Sequence, residues 1–385
     1  MSIKKLAPFN LSVPDSVIND LKLRLNNVRW PDEIPGNSWK YGTDLKYLQD
    51  FCQYWATDYD WKSHERVINS FNQFKTKVSG IDLHFIYEEG KGKDPLPLLL
   101  SHGWPGSVYE FHKILPMLTD PASHGGSAED SFTVIAPSLP GYTFSYEPGQ
   151  KRFSVEEIAD TFADLMTSVL GYKSFVAQGG DWGAFVTSRL GFTHPEIVKA
   201  IHLNMLCVRR DPSIMENPSA EEEIFLKQLK HFLADETGYQ WIQGTKPQTL
   251  SYGLSDSPVG LAAWIIEKFH TWTDHQGDLD GYFGRDVMIT DIMLYWISGA
   301  IGSSFWPYYA RMHGPWPIPI GETVDVPTGY IEFPKEILSP PRSVANIFYS
   351  DIRSWTTCDR GGHFAALEQP QALVSDIRQF FRGFR

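Results

Sequence analysis

The chain has 385 residues, 42% of them hydrophobic and 21% charged, with a formal net charge of −12. That composition fits a folded protein with a large core of its own, and an acidic chain without any Lys/Arg run is a poor partner for nucleic acid or anionic lipid. Three widely spaced cysteines, Cys52, Cys207 and Cys358, form neither a disulfide framework nor a metal motif and point to a reducing, cytoplasmic setting.

Met1–Phe9 carries two lysines but no apolar stretch, so it reads as neither a signal peptide nor a membrane anchor. Residues 1–80 are rich in Trp, Asn and Asp and predict helices over Ser16–Asn27 and Asp44–Tyr59, separated by a Pro/Gly loop. From Gly80 the texture changes. Ile81–Tyr87 alternates as a strand, Leu96–Leu100 is a short apolar run, and Val108–Leu118 reads as a helix. Phe132–Ala136 is a further strand. Ser154 with Glu157 three residues on opens a helix closed by Gly171. Ser174–Ala177, Ala184–Phe192 and Val198–Leu203 then read as strand, helix and strand.

Such alternation predicts an α/β fold with a mostly parallel, doubly wound sheet. The alternation stops near Leu206. Residues 207–320 are helical and rich in Trp and Tyr, as expected of an inserted helical cap. The sheet pattern resumes at Val326–Phe333, and a last helix is predicted over Leu367–Phe381. The chain thus divides into an N-terminal region (1–80), a first core part (81–206), a cap (207–320) and a second core part (321–385).

The strongest motif is Gln178-Gly179-Gly180-Asp181-Trp182-Gly183, between a predicted strand and a predicted helix. Small residues two before and two after Asp181 match a nucleophile elbow, a turn so sharp that larger flanks would clash. Asp occupies the place usually held by Ser. A carboxylate needs no proton removed before it attacks, which suits displacement at sp³ carbon. A Gly-rich turn with an Asp helix cap is the plain alternative.

His102-Gly103-Trp104-Pro105-Gly106-Ser107 follows the strand Leu96–Leu100. In a hydrolase sheet, backbone N–H groups of Trp104 and Trp182 would form an oxyanion hole. His363, late in the chain in Arg360-Gly361-Gly362-His363-Phe364, then suits a general base. Its acid partner should lie between Asp181 and His363; Glu336 is the candidate, with Asp351 and Asp359 as rivals. His102 reads as a support for its loop. Phe144, Trp104, Trp182 and Trp306 are candidate lining residues. His270, Asp274, His275, Asp278 and Asp280 lack zinc or calcium-loop spacing and read as a solvated loop, so no metal is expected.

The ordered set resembles the microsomal-type epoxide hydrolase family. HGWPGS, SLPGYTFS (Ser138–Ser145), GGDWG, the stretch Thr245–Phe269, LYW (Leu294–Trp296), PTGYIEFPKE and RGGHFAALEQP carry the resemblance across nearly the whole chain. It implies an α/β-hydrolase fold, an N-terminal region that wraps the core, and conversion of an epoxide to a vicinal diol through an ester on Asp181. It implies that His363 and Glu336 activate water, and that tyrosines at Tyr239 and Tyr309 hold and protonate the epoxide oxygen, with Tyr308 the alternative to Tyr309. No cofactor is implied. A small lipophilic epoxide and water are the implied partners, with a homodimer suggested by the relatives. Two other readings stand beside it: a haloalkane dehalogenase with an Asp nucleophile, and a non-catalytic small-molecule receptor on the same fold.

Overall fold

The computed structural model describes residues 6–36, 38–215 and 217–385. Its centre is one sheet of nine strands: β1 (Ala7–Pro8), β2 (Gln73–Val78), β3 (Ile81–Glu88), β4 (Leu96–Ser101), β5 (Phe132–Pro137), β6 (Phe175–Gly179), β7 (Val198–Leu203), β8 (Thr328–Glu332) and β9 (Ile352–Thr357), in spatial order β1-β2-β3-β5-β4-β6-β7-β8-β9. From β5 onward every pairing is parallel; β1, β2 and β3 add antiparallel strands at one edge. The central strands are covered on both faces, which is why Leu-Pro-Leu-Leu-Leu and Phe-Thr-Val-Ile-Ala read as apolar runs rather than as alternation.

The predicted strands lie close to the observed ones, with Val198–Leu203 matched end to end. Ser154 caps the helix Val155–Asp164 through a reciprocal bond with Glu157. Three departures have local causes. The helix after β6 begins at Asp181, three residues earlier than its apolar pattern, because two glycines and an acid hide the first turn. The stretch Val108–Leu118 is split into a 3₁₀ turn, Val108–Phe111, and a helix, Ile114–Thr119. The N-terminal region is not helical throughout: Gln73–Val78 pairs along its whole length with Ile81–Ile86 of β3, carrying polar side chains because that edge is half open to solvent.

Helices from Ala220–His231 to Trp306–His313 are inserted between β7 and β8 and form a cap over the carboxyl ends of the strands. The N-terminal segment ties onto them. Tyr47 and Tyr54 donate to Asp280 and Asp286, Arg24 donates to Asp256, and Trp39 stacks on His270 at 3.8 Å. Among the described residues, no single helix is long and apolar enough to cross a membrane.

Candidate active site

Ser101 at the end of β4 and Gly179 at the end of β6 are partners across adjacent parallel strands. The loop after β4 and the turn after β6 therefore start side by side. Asp181 has φ 47°, in the left-handed region that costs an ordinary residue energy. The turn is tight enough that a Cβ on Gly183 would lie 1.9 Å from the Ser101 carbonyl oxygen, and one on Gly179 would lie 2.2 Å from the Gly183 oxygen. Those glycines are required by close backbone approach. Gly103 is equally constrained: a Cβ there would meet Asp181 Oδ1 at 2.1 Å.

The two carboxylate oxygens of Asp181 have different surroundings. Oδ1 accepts the Trp104 N–H at 2.7 Å. The Trp182 amide lies in the first turn of the helix Asp181–Thr193, where an N–H has no intrahelical acceptor. Oδ2 faces His363 Nε2 at 3.4 Å. His102 holds the loop: its Nε2 accepts the Leu139 N–H, so its Nδ1–H donates to the Gly103 carbonyl. Burial brings its pKa down to about 4, and the ring is neutral.

Glu336 Oε1 accepts from His363 Nδ1 at 2.6 Å and from the Ile337 amide, and its side chain is fully buried. The rivals are elsewhere: Asp351 is engaged by Arg353, and Asp359 is exposed. Burial alone would depress the His363 imidazolium. Glu336 on one side and Asp181 on the other outweigh it and hold its pKa well above the usual histidine range. The loop carrying His363 is pinned from the cap, where Trp272 O accepts the His363 N–H and Asp274 accepts from Arg360 and from the Gly361 amide. Asp274 is thus a buried structural tie, where the sequence suggested a solvated loop.

Two of the proposed tyrosine positions behave differently from one another. Tyr239 is buried, stacked on Trp104 at 5.4 Å, with Lys268 Nζ 4.5 Å from its ring centre. Tyr308 is also buried and packs edge-on against Trp104, Trp182 and Tyr239. Tyr309 is not in the site. On the helix Trp306–His313 successive residues point about 100° apart, so Tyr309 shares an outer face with Trp306 and His313, stacking on both at 4.8 and 4.0 Å. The assignment therefore moves to Tyr308, and Trp306 loses its place as a lining residue for the same reason. Phe144 is likewise displaced: its ring packs on Phe9 and His84, against the antiparallel edge of the sheet.

Three spaces meet this cluster. A cavity of about 30 Å³, room for about a water or two, is bounded by Asp181, His363, Gln178, Asn204 and Glu110. A second, of about 20 Å³, is bounded by Asp181, Trp182, Tyr239, Gln240, Tyr308 and Arg210. A cleft of about 1290 Å³ runs from the surface between the N-terminal segment and the cap, past Trp30, Trp39 and Trp264, as far as Tyr239. Glu110, Gln240 and Arg210 were not singled out by any motif. The only trace of Glu110 is Gly106, whose missing Cβ would lie 2.4 Å from its carboxyl carbon.

The match to the family described as "Epoxide hydrolase N terminus" covers residues 6–111, and that to "alpha/beta hydrolase fold" covers residues 97–240. Epoxide hydrolase 1 of Oryctolagus cuniculus is 39% identical over 404 residues, covering 98% of this chain and 89% of that one. The crystal structure of juvenile hormone epoxide hydrolase from the silkworm Bombyx mori superposes with a TM-score of 0.88 at 32% identity, covering 99% of this chain and 95% of that one. Aspergillus niger epoxide hydrolase superposes at 0.85 with 29% identity, covering 99% and 97%. With relatives this similar over almost its whole length, the chain belongs to the epoxide hydrolase family, built on the α/β-hydrolase fold.

Proposed function

We propose that the chain converts a lipophilic epoxide to a vicinal diol through a covalent ester on Asp181. The observation that carries this reading is that two buried phenols, Tyr239 and Tyr308, bound the same small chamber as the Asp181 carboxylate. An epoxide is strained, but its alkoxide is a poor leaving group. It needs a proton donor opposite a nucleophile, and this chamber offers both.

Asp181 Oδ2, which faces His363 and receives no backbone donor among the described residues, attacks a ring carbon while Oδ1 stays on the Trp104 amide. The ring C–O electrons move to oxygen, which takes the phenol proton. Ester formation removes the Asp181 negative charge. One of the two charges that raise the His363 pKa is then gone; the imidazolium gives its proton to solvent, and the neutral imidazole is a competent base. Water in the cavity beside His363 gives it a proton and attacks the ester carbon. The developing oxyanion rests on the Trp104 and Trp182 amides. Collapse breaks the bond between the Asp181 acyl carbon and the alkyl oxygen; the diol leaves with the proton from His363, the acid proton restores the phenol, and the re-formed Asp181 carboxylate draws a proton from solvent back onto His363.

A single turnover of styrene oxide with excess enzyme in ¹⁸O-water tests the route. The diol is expected unlabelled, because its new oxygen comes from Asp181. Labelled diol would show direct attack by water and overturn the covalent step. A second reading, an Asp-nucleophile haloalkane dehalogenase, is favoured by one feature: the buried indole N–H of Trp104 makes no hydrogen bond among the described residues and could hold a halide. Halide release from a bromoalkane without epoxide turnover would select it.

A further inference from the structure

We propose that Gln240 is a positioning residue that aims the Tyr239 proton into the chamber, with Arg210 locking Gln240 in the required orientation. The inference rests on Tyr239 being the proton donor of the reaction proposed above. Tyr239 and Gln240 are neighbours on the helix Gly238–Thr245, and both are buried. The Gln240 amide N–H donates to the Tyr239 hydroxyl oxygen at 2.8 Å. Arg210 Nη1 donates to the Gln240 amide oxygen at 3.1 Å.

The direction of the chain is fixed by donor chemistry. A guanidinium has donors only, so the amide oxygen must face Arg210 and the amide NH₂ must face the phenol. Turning the amide over would oppose two donors and leave the phenol facing an acceptor. As arranged, the Tyr239 oxygen already receives a hydrogen bond. Its own proton is left for a group in the chamber, where Asp181 and Tyr308 are the other walls. When that proton passes to the epoxide oxygen, the phenolate keeps the Gln240 bond, and such bonds strengthen to a charged acceptor.

Arg210 adds charge behind the amide. It rests over the Phe232 ring at 4.7 Å and forms no ion pair among the described residues. Burial raises the Tyr239 pKa, and Arg210 is the largest influence opposing that rise. Phenol acidity in a buried site therefore has a local source, reached through one amide.

The test uses Gln240→Glu and Gln240→Leu in the full chain, with styrene oxide under single-turnover conditions. Ester formation and ester decay are followed separately by quenching and intact-protein mass. Gln240→Glu keeps the shape and strengthens the pairing with Arg210, but offers the phenol only acceptors. We expect ester formation to slow by about tenfold or more in both variants, the usual size for a lost bond to a developing charge. Ester hydrolysis, which does not use Tyr239 as a donor, should stay within about twofold. Arg210→Met, which frees the amide to turn, should show a smaller loss in the same step. Gln240→Glu forming ester as fast as the native enzyme would overturn the relay, as would equal slowing of both steps in both variants. Native enzyme that forms no ester would remove the relay together with the covalent route. Native ester formation with an unimpaired Gln240→Glu removes the relay alone.

Discussion

Two adjacent tyrosines show how much depends on a single residue step. Tyr308 lines the Asp181 chamber and Tyr309 lies on the cap's outer side, although both are aromatic and one position apart. Tyr308→Phe should slow ring opening by about a hundredfold, the scale of a lost general acid. Tyr309→Phe should leave the rate unchanged. Stopped-flow turnover of both variants decides it, and the reverse ranking would return the role to Tyr309. Asp291 makes a different residue-scale case. It is buried, accepts from Ser107 Oγ at 2.7 Å, and its other oxygen has no partner among the described residues. Burial pushes its carboxyl up to about 7. A carboxyl that ionises later in the folded state than in the unfolded one costs nothing below both values. Its cost grows as pH rises from the unfolded value through about 7. Asp291→Asn keeps an acceptor for Ser107 and removes that cost. Thermal unfolding should show the variant gaining stability relative to the native protein between about pH 5 and pH 8, on the order of 3 kcal/mol at the upper end. Parallel pH profiles would refute it.

At the scale of elements, the sheet does most of the positioning. Adjacent ends of β4 and β6 bring the Trp104 loop to Asp181, and a bridge between Lys335 and Gly362 brings the Glu336 and His363 loops together. The elbow was readable in the sequence because backbone crowding leaves only glycine at Gly179 and Gly183, and such exclusions are visible residue by residue. The tie from the cap to the His363 loop was not readable. Asp274 lies in a polar stretch whose composition matches a solvated turn, and only its meeting with Arg360 and the Gly361 amide buries it. Asp274→Ala should therefore destabilise the protein by about 1–3 kcal/mol, the cost of stranding a buried donor. Hydrogen exchange should rise first over residues 358–368. Unchanged exchange there would show that the tie carries no strain from the loop.

For the whole molecule, a cleft of about 1290 Å³ lies between the N-terminal segment and the cap, with Tyr239 in its wall. Tyr239 lines both this cleft and the Asp181 chamber, so the cleft walled by the N-terminal segment is the route a substrate is expected to take. Ala263 lies on the cleft wall. Ala263→Trp should lower kcat/KM for a bulky epoxide such as stilbene oxide by about tenfold more than for propylene oxide, since a narrowed passage discriminates by size. Equal effects on the two substrates would place the route elsewhere.

The sequence by itself determined the features that rest on local exclusion and on chain order. These are the apolar runs of buried strands, the glycines of the elbow, the Ser154 cap, and a carboxylate, an acid and a histidine following one another at strand ends. Each is set by sterics or burial within a few residues, so it leaves a mark in the string of letters. Only the tertiary structure decided which of two tyrosines faces Asp181, that Phe144 and Trp306 lie outside the site, and that Glu110, Gln240 and Arg210 lie within it. Those outcomes depend on the rotation of a helix against its neighbours and on side chains meeting from distant segments. Arg210 reaches Gln240 across 30 positions, and Asp274 reaches Arg360 across 86. Contacts of that kind are made by packing, which no short stretch of sequence encodes.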